Sequence, residues 1–122
     1  MKAVNLSEKF SQIDDYWNPR VVGELNGQQV RLVKVFGEFP FHKHEHEDEM
    51  FFVVKGKLKI EFEDRTENVN ENEFLIVPAN VLHRPVAEKE VEIMLFVTKE
   101  NVNTGNIENH QWKRDTKSLK KI

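Results

Sequence analysis

Alternation between apolar and polar residues is the dominant signal along this chain. From Lys57 to Glu63, the apolar Leu58, Ile60 and Phe62 alternate with Lys57, Lys59, Glu61 and Glu63, the period of a half-buried strand. Val91, Ile93, Leu95 and Val97 repeat the pattern against Glu90, Glu92, Met94 and Phe96. Val21, Val22 and Leu25 lead into Asn26-Gly27, and Val30 to Phe36 returns, which predicts a β-hairpin. Met50 to Val54 is strongly apolar, and Phe74 to Val77 is apolar on both faces, with a polar turn region at Asp64 to Asn72 between strands. Counted together, these runs predict at least seven short strands, hence an all-β barrel or sandwich.

The two ends differ from this middle. Asn5 to Glu8 has the spacing of a helix N-cap, and Leu6, Phe10 and Ile13 fall on one helical face. A short helix is therefore expected over one end of the sheet, with Tyr16 and Trp17 as packing anchors. Residues 1–19 form this helix and lead-in, 20–100 the β-domain and 101–122 a polar tail. The tail is Asn-rich, then basic from His110 onward, and is expected to be solvated and partly disordered, with Trp112 available to pin it.

Candidate chemistry lies between two of the predicted strands. His42, His44 and His46 fall within five residues, followed by Glu47, Asp48 and Glu49. On an extended strand His42 and His44 would share a face, about 6.6 Å apart, close enough for both imidazoles to reach one ion. Glu45 to Asp48 suits a reversing loop, and Glu49 opens the next strand on the same face as Phe51 and Val53. A lone carboxylate facing a core is costly, and a bound cation removes that cost. A fourth donor has to come from elsewhere, and His83, after the apolar run ending at Pro78, is the candidate. His110 sits in the basic tail and is a poor one. His46 falls in the loop, as a weak candidate for a catalytic proton carrier.

These residues resemble a known family. His42, His44, Glu49 and Gly56 match the first motif of the cupin superfamily, and Pro78 and His83 match the second. Asn72 and Asn80 stand where the second motif has glycines, and Asn tolerates the left-handed backbone that glycine supplies. The subgroup most similar is that of small single-domain cupins often labelled mannose-6-phosphate isomerase-like. The resemblance implies a cupin-type double-stranded β-helix, or jelly-roll, with a metal in the barrel mouth held by His42, His44, Glu49 and His83.

Three neutral imidazoles and one carboxylate suit Mn, Fe, Co, Ni, Cu or Zn. The leading expectation is a metal-dependent enzyme acting on a small oxygenated metabolite such as a sugar or sugar acid, by isomerase, lyase or dioxygenase chemistry. The alternatives are a non-catalytic metal-dependent binding or sensing module and a metal-free structural dimer. Phe39 or Phe41 would wall an apolar pocket, and Arg84 should point away from the site.

Composition narrows the rest. At 122 residues with 39% hydrophobic and 32% charged content, one soluble domain is expected. A net charge of −3 gives no reason to expect a nucleic acid or membrane partner. The chain has no cysteine, so disulfides and sulfur-ligated metals are excluded. Without an apolar run of membrane-spanning length or a signal-like N-terminus, a cytoplasmic location is expected. The two apolar faces of Phe74 to Val77 would need cover, and a homodimer would supply it.

Overall fold

The computed structural model describes residues 1–122. Seven strands run in antiparallel pairs: β1 (Arg20–Leu25), β2 (Gln28–Glu38), β3 (Glu49–Lys55), β4 (Leu58–Phe62), β5 (Thr66–Val69), β6 (Phe74–Val77) and β7 (His83–Thr98). The sheet order is β1-β2-β7-β3-β6, and β4 joins β5 to the first part of β7. Strand β7 serves both halves of this jelly-roll. Its residues 83–86 pair with β4, while residues 92–96 pair with β3. The sheet curls around an interior without closing into a continuous barrel. No helix is long and apolar enough to cross a membrane.

Alternation sets the core. Val91, Ile93, Leu95 and Val97 of β7 are buried, as are Leu58 and Ile60 of β4, Phe51 and Val53 of β3, and Val33 and Val35 of β2. All belong to one cluster that also includes Trp17 and Phe39. Burial of these side chains is the main driving force for closing the two sheet halves on each other.

The turns follow their residues. Asn26 and Gly27 both have positive φ (52° and 77°), as a two-residue hairpin between right-twisted strands requires. Asn72 and Asn80 sit at φ 65° and 66°, the left-handed conformation their replacement of glycine demands.

On the outer face, the helix α1 (Leu6–Phe10) is capped by Asn5, whose side chain accepts from the Glu8 amide at 2.9 Å. Only five residues are helical, so Ile13 lies beyond the end expected for it. Phe10 and Ile13 nevertheless cover Leu32 of β2.

The tail differs most from expectation. It is folded against the domain: Asn101, Thr104 and Leu119 are buried, and Val21 pairs in parallel with Lys121. Trp112 stacks on Trp17 (centroids 5.2 Å apart) and on Phe39 (5.7 Å). A few aromatic and short polar anchors, rather than any apolar stripe, hold it in place.

Candidate metal centre

His42, His44, Glu49 and His83 come together in the interior. Their coordinating atoms all lie within 4.8 Å of one another, and all four residues are buried. Glu49 enters as the first residue of β3 and His83 as the first of β7. His42 and His83 exchange both backbone hydrogen bonds, at 2.9 Å each, which sets their rings 4.4 Å apart.

The expected strand across His42 to His44 is not formed. Only His42 makes a bridge, with His83, and His44 lies in irregular chain. The reason is the partner available to Lys43, between them. Its amide donates to Asn106 Oδ1 at 2.9 Å, and its carbonyl accepts from the Asn106 amide at 3.0 Å. The tail therefore supplies what a neighbouring strand would have supplied. Gly105 makes this approach possible: a Cβ there would stand 2.3 Å from the Lys43 carbonyl oxygen, at φ +56°.

Each ring nitrogen has a defined role. His42 Nδ1 lies 2.9 Å from the Pro40 carbonyl, and His83 Nδ1 lies 2.8 Å from the Val81 carbonyl. A carbonyl only accepts, so each Nδ1 carries a proton and each Nε2 is the nitrogen left to the cluster. Such outer hydrogen bonds fix tautomer and orientation in metal-ligating histidines. Both His44 Nε2 (3.2 Å) and His83 Nε2 (3.3 Å) approach Glu49 Oε1.

His44 is held differently. Its Nδ1 lies 3.2 Å from Asn101 Nδ2, which is also 3.3 Å from Glu47 Oε1. A side-chain amide offers both a donor and an acceptor, so Asn101 can satisfy either tautomer. Asn101 is itself fixed by Arg31, a fully buried guanidinium that donates to the carbonyls of Asn101 (2.9 Å) and Lys99 (3.2 Å) and to Gln29 Oε1 (2.9 Å). Alternation marked neither Asn101 nor Arg31, because a lone polar residue carries no period. The only signal would have been a charged residue at an inward position of β2.

Burial and one carboxylate set the electrostatics of the cluster. Burial pushes His42 down to about 4, with the neighbouring His83 ring adding to the effect. Burial opposes ionisation of Glu49, but the imidazoles of His44 and His83 overcome it and hold the carboxyl well below its usual range. Burial also opposes charge on His44, yet the Glu49 and Glu47 carboxylates raise its pKa. His44 Nε2 is the one buried side-chain nitrogen or oxygen left without a hydrogen-bond partner. An unpartnered imidazole nitrogen beside a buried carboxylate and two oriented imidazoles fits a divalent ion.

Comparison with known proteins identifies the fold family. The family model for the cupin domain matches residues 29–98. The chain is a cupin. A crystal structure of a cupin-2 domain containing protein from Shewanella frigidimarina is 40% identical, with a TM-score of 0.76, covering 77% of this cupin and 92% of that chain. Protein NMB1881 from Neisseria meningitidis is 31% identical with a TM-score of 0.74, covering 80% and 99%. Protein YdbB of Bacillus subtilis is 38% identical over 64 residues, which span 52% of this cupin and 57% of that relative.

The remaining candidates lie outside the cluster. The His46 side chain is 88% exposed, with only Glu45 nearby at 4.0 Å. Arg84 points outward, donating to Glu61 (2.7 Å) and Glu38 (3.2 Å) and lying over Phe41. Phe39 lines a cavity that reaches the cluster, and Phe41 does not. Tyr16 is exposed and donates to Glu90, whereas Trp17 is buried with its indole N–H on the Phe36 carbonyl.

Proposed function

We propose that this cupin holds one divalent transition metal through His42, His44, Glu49 and His83, and is a metal-dependent enzyme acting on a small oxygenated metabolite. The convergence of four buried donors within 4.8 Å carries this reading. Two of its imidazoles are oriented by Nδ1 contacts to the Pro40 and Val81 carbonyls, which supports ligation through Nε2. A bound ion would supply Lewis acidity or an acidified water. The protein residues orient that ion and keep bulk water from it. His42 and Glu49 border a cavity otherwise walled mainly by apolar side chains, which is where a substrate would approach.

The same cavity ranks the reaction types. Its only ionisable lining residues are His42 and Glu49, both proposed ligands. Sugar isomerisation and lyase chemistry need a separate acid or base within about 3 Å of the substrate. Dioxygenase-type chemistry at the metal places less demand on such a group and is favoured here. The same observation supports the second reading, a non-catalytic module that holds a small ligand on the metal.

The test is elemental analysis of protein purified without an affinity tag. One ion per chain is expected, lost in His42→Ala. Protein that carries no divalent ion and takes up none would contradict both readings. We also propose that a second copy covers the outer sheet face. On edge strand β6, Phe74 and Ile76 are exposed, and they stand in register with Phe52 and Met50 of β3, a continuous apolar strip. Sedimentation showing only monomer at micromolar concentration would refute this.

A further inference from the structure

The four donors are shut off from bulk water. All are buried, and the space beside them measures only ≈ 40 Å³, room for about three waters. An ion must therefore enter through a wall that yields. Most of the walls cannot, because Val33, Val35, Phe51, Ile93 and Leu95 sit in hydrogen-bonded strands. Trp17 and Phe39 also line the space but lie outside the strands, as does Asn103 of the tail.

Trp112 holds these three. Its ring stacks on both Trp17 and Phe39. Its carbonyl accepts from Asn103 Nδ2 at 2.7 Å, and Asn103 Oδ1 accepts in turn from the Arg114 amide at 2.9 Å. Trp17 has a φ of 59°, a left-handed conformation that a bulky side chain rarely adopts and that persists only while its surroundings hold it.

The segment that carries Trp112 is otherwise loosely held. Between Asn106 and Leu119 no residue is buried. Its backbone–backbone hydrogen bonds are all local, joining Ile107 to Thr104, Lys113 to His110 and Ser118 to Asp115. Both ends, by contrast, are fastened. Asn106 pairs with Lys43, Leu119 is buried, and Lys120 and Ile122 bond the Val21 backbone at 2.8 and 2.9 Å. A segment with few buried contacts between fixed ends opens at low cost while the rest stays folded.

We propose that residues 107–118 form a flap latched by Trp112, and that its opening admits the ion to the cluster. The proposal rests on the metal reading above and adds the route. If the ion passes only while the flap is open, loading and release both scale with the open fraction, and affinity does not. A residue that merely braced a ligand would change affinity instead.

Stopped-flow loading of Co²⁺ into untagged metal-free protein, and its release into saturating EDTA, test this alongside hydrogen exchange of the metal-free protein. Trp112→Ala removes two stacked contacts and is expected to speed loading and release alike, on the order of tenfold, with affinity kept within about threefold. Asn103→Ala frees the other fastening and provides the same test should that variant not fold. In the unsubstituted protein, amides across residues 107–118 should exchange roughly tenfold or more faster than those of Asn106 and Ile122. Failure to take up Co²⁺ would overturn the metal reading and the gate with it. With Co²⁺ bound, unchanged rates would overturn the flap alone and move the entrance to the surface groove bordered by Lys43, His44 and Asn106. A change in only one of the two rates, or exchange across 107–118 as slow as at its ends, would equally overturn it.

Discussion

His42 and His83 are held by the sheet, whereas His44 is held by the tail. The first two exchange backbone hydrogen bonds and donate Nδ1–H to carbonyls two residues upstream, Pro40 and Val81. Their orientation is local and follows from the backbone path. His44 depends on Asn101, a residue 57 positions away, which is fixed in turn by the buried guanidinium of Arg31. The cupin domain match ends at residue 98, so one of the four proposed ligands is braced from outside the matched region. One half of the site is a property of the fold, and the other half a property of how this chain continues past it.

The largest effect should come from the sheet-held side. His83→Ala removes a proposed ligand and opens the reciprocal pair with His42, and is expected to abolish stoichiometric metal by elemental analysis. Retention of a full equivalent would mean that His83 is not a ligand.

Acidification should separate the two sides by sign. In metal-free protein the native His42 stays neutral down to about 4, against 6.5 for the group unperturbed. Between these values the unfolded chain binds more protons, so stability falls as pH drops from 6.5 to 4, by about 3 kcal/mol for this group when complete. Glu49, whose pKa is lowered from 4.5, contributes stability that is present above that value and lost as pH falls further. His44, with its pKa raised, acts oppositely: its contribution is full below 6.5 and is lost as pH rises through its folded value. Urea midpoints should show a shallower loss between pH 6.5 and 4 in His42→Gln, whereas His44→Gln should leave that slope unchanged and remove a loss of stability above pH 6.5. Equal slopes would remove the distinction between the two histidines.

Loosening the tail-held side should weaken the site without destroying it. Asn101→Ala is expected to lower metal affinity about 10- to 100-fold, the usual range for an outer hydrogen-bond partner of a ligand, while the native fold persists by circular dichroism. An unchanged affinity would show that His44 needs no brace. The smallest effect is expected of His46→Ala. With its side chain at the surface, metal affinity by calorimetry should change less than twofold, and a larger change would return His46 to the site.

Legibility in the sequence divides along the same line. Strands β3, β4 and β7 announce themselves by period two, and the hairpin by Asn26-Gly27. The four donors announce themselves by spacing and by the anomaly of a glutamate at the head of an apolar strand. Nothing comparable marks the tail. Asn101, Asn103 and Asn106 read as loop composition, yet each uses its side-chain amide to fasten one or two backbone or side-chain groups. Such single contacts have no periodicity to detect. The irregular His42–His44 segment escaped for the same reason, since the partner that replaced a strand, Asn106, lies 63 residues from Lys43.

Diffraction from crystals of the metal-loaded protein, with anomalous data collected at the absorption edge of the bound ion, is the most direct test of the centre. The expected result is a single peak about 2.0–2.2 Å from the Nε2 atoms of His42, His44 and His83 and from a carboxylate oxygen of Glu49. A peak anywhere else, or His83 or His44 turned away from it, would contradict the four-ligand centre.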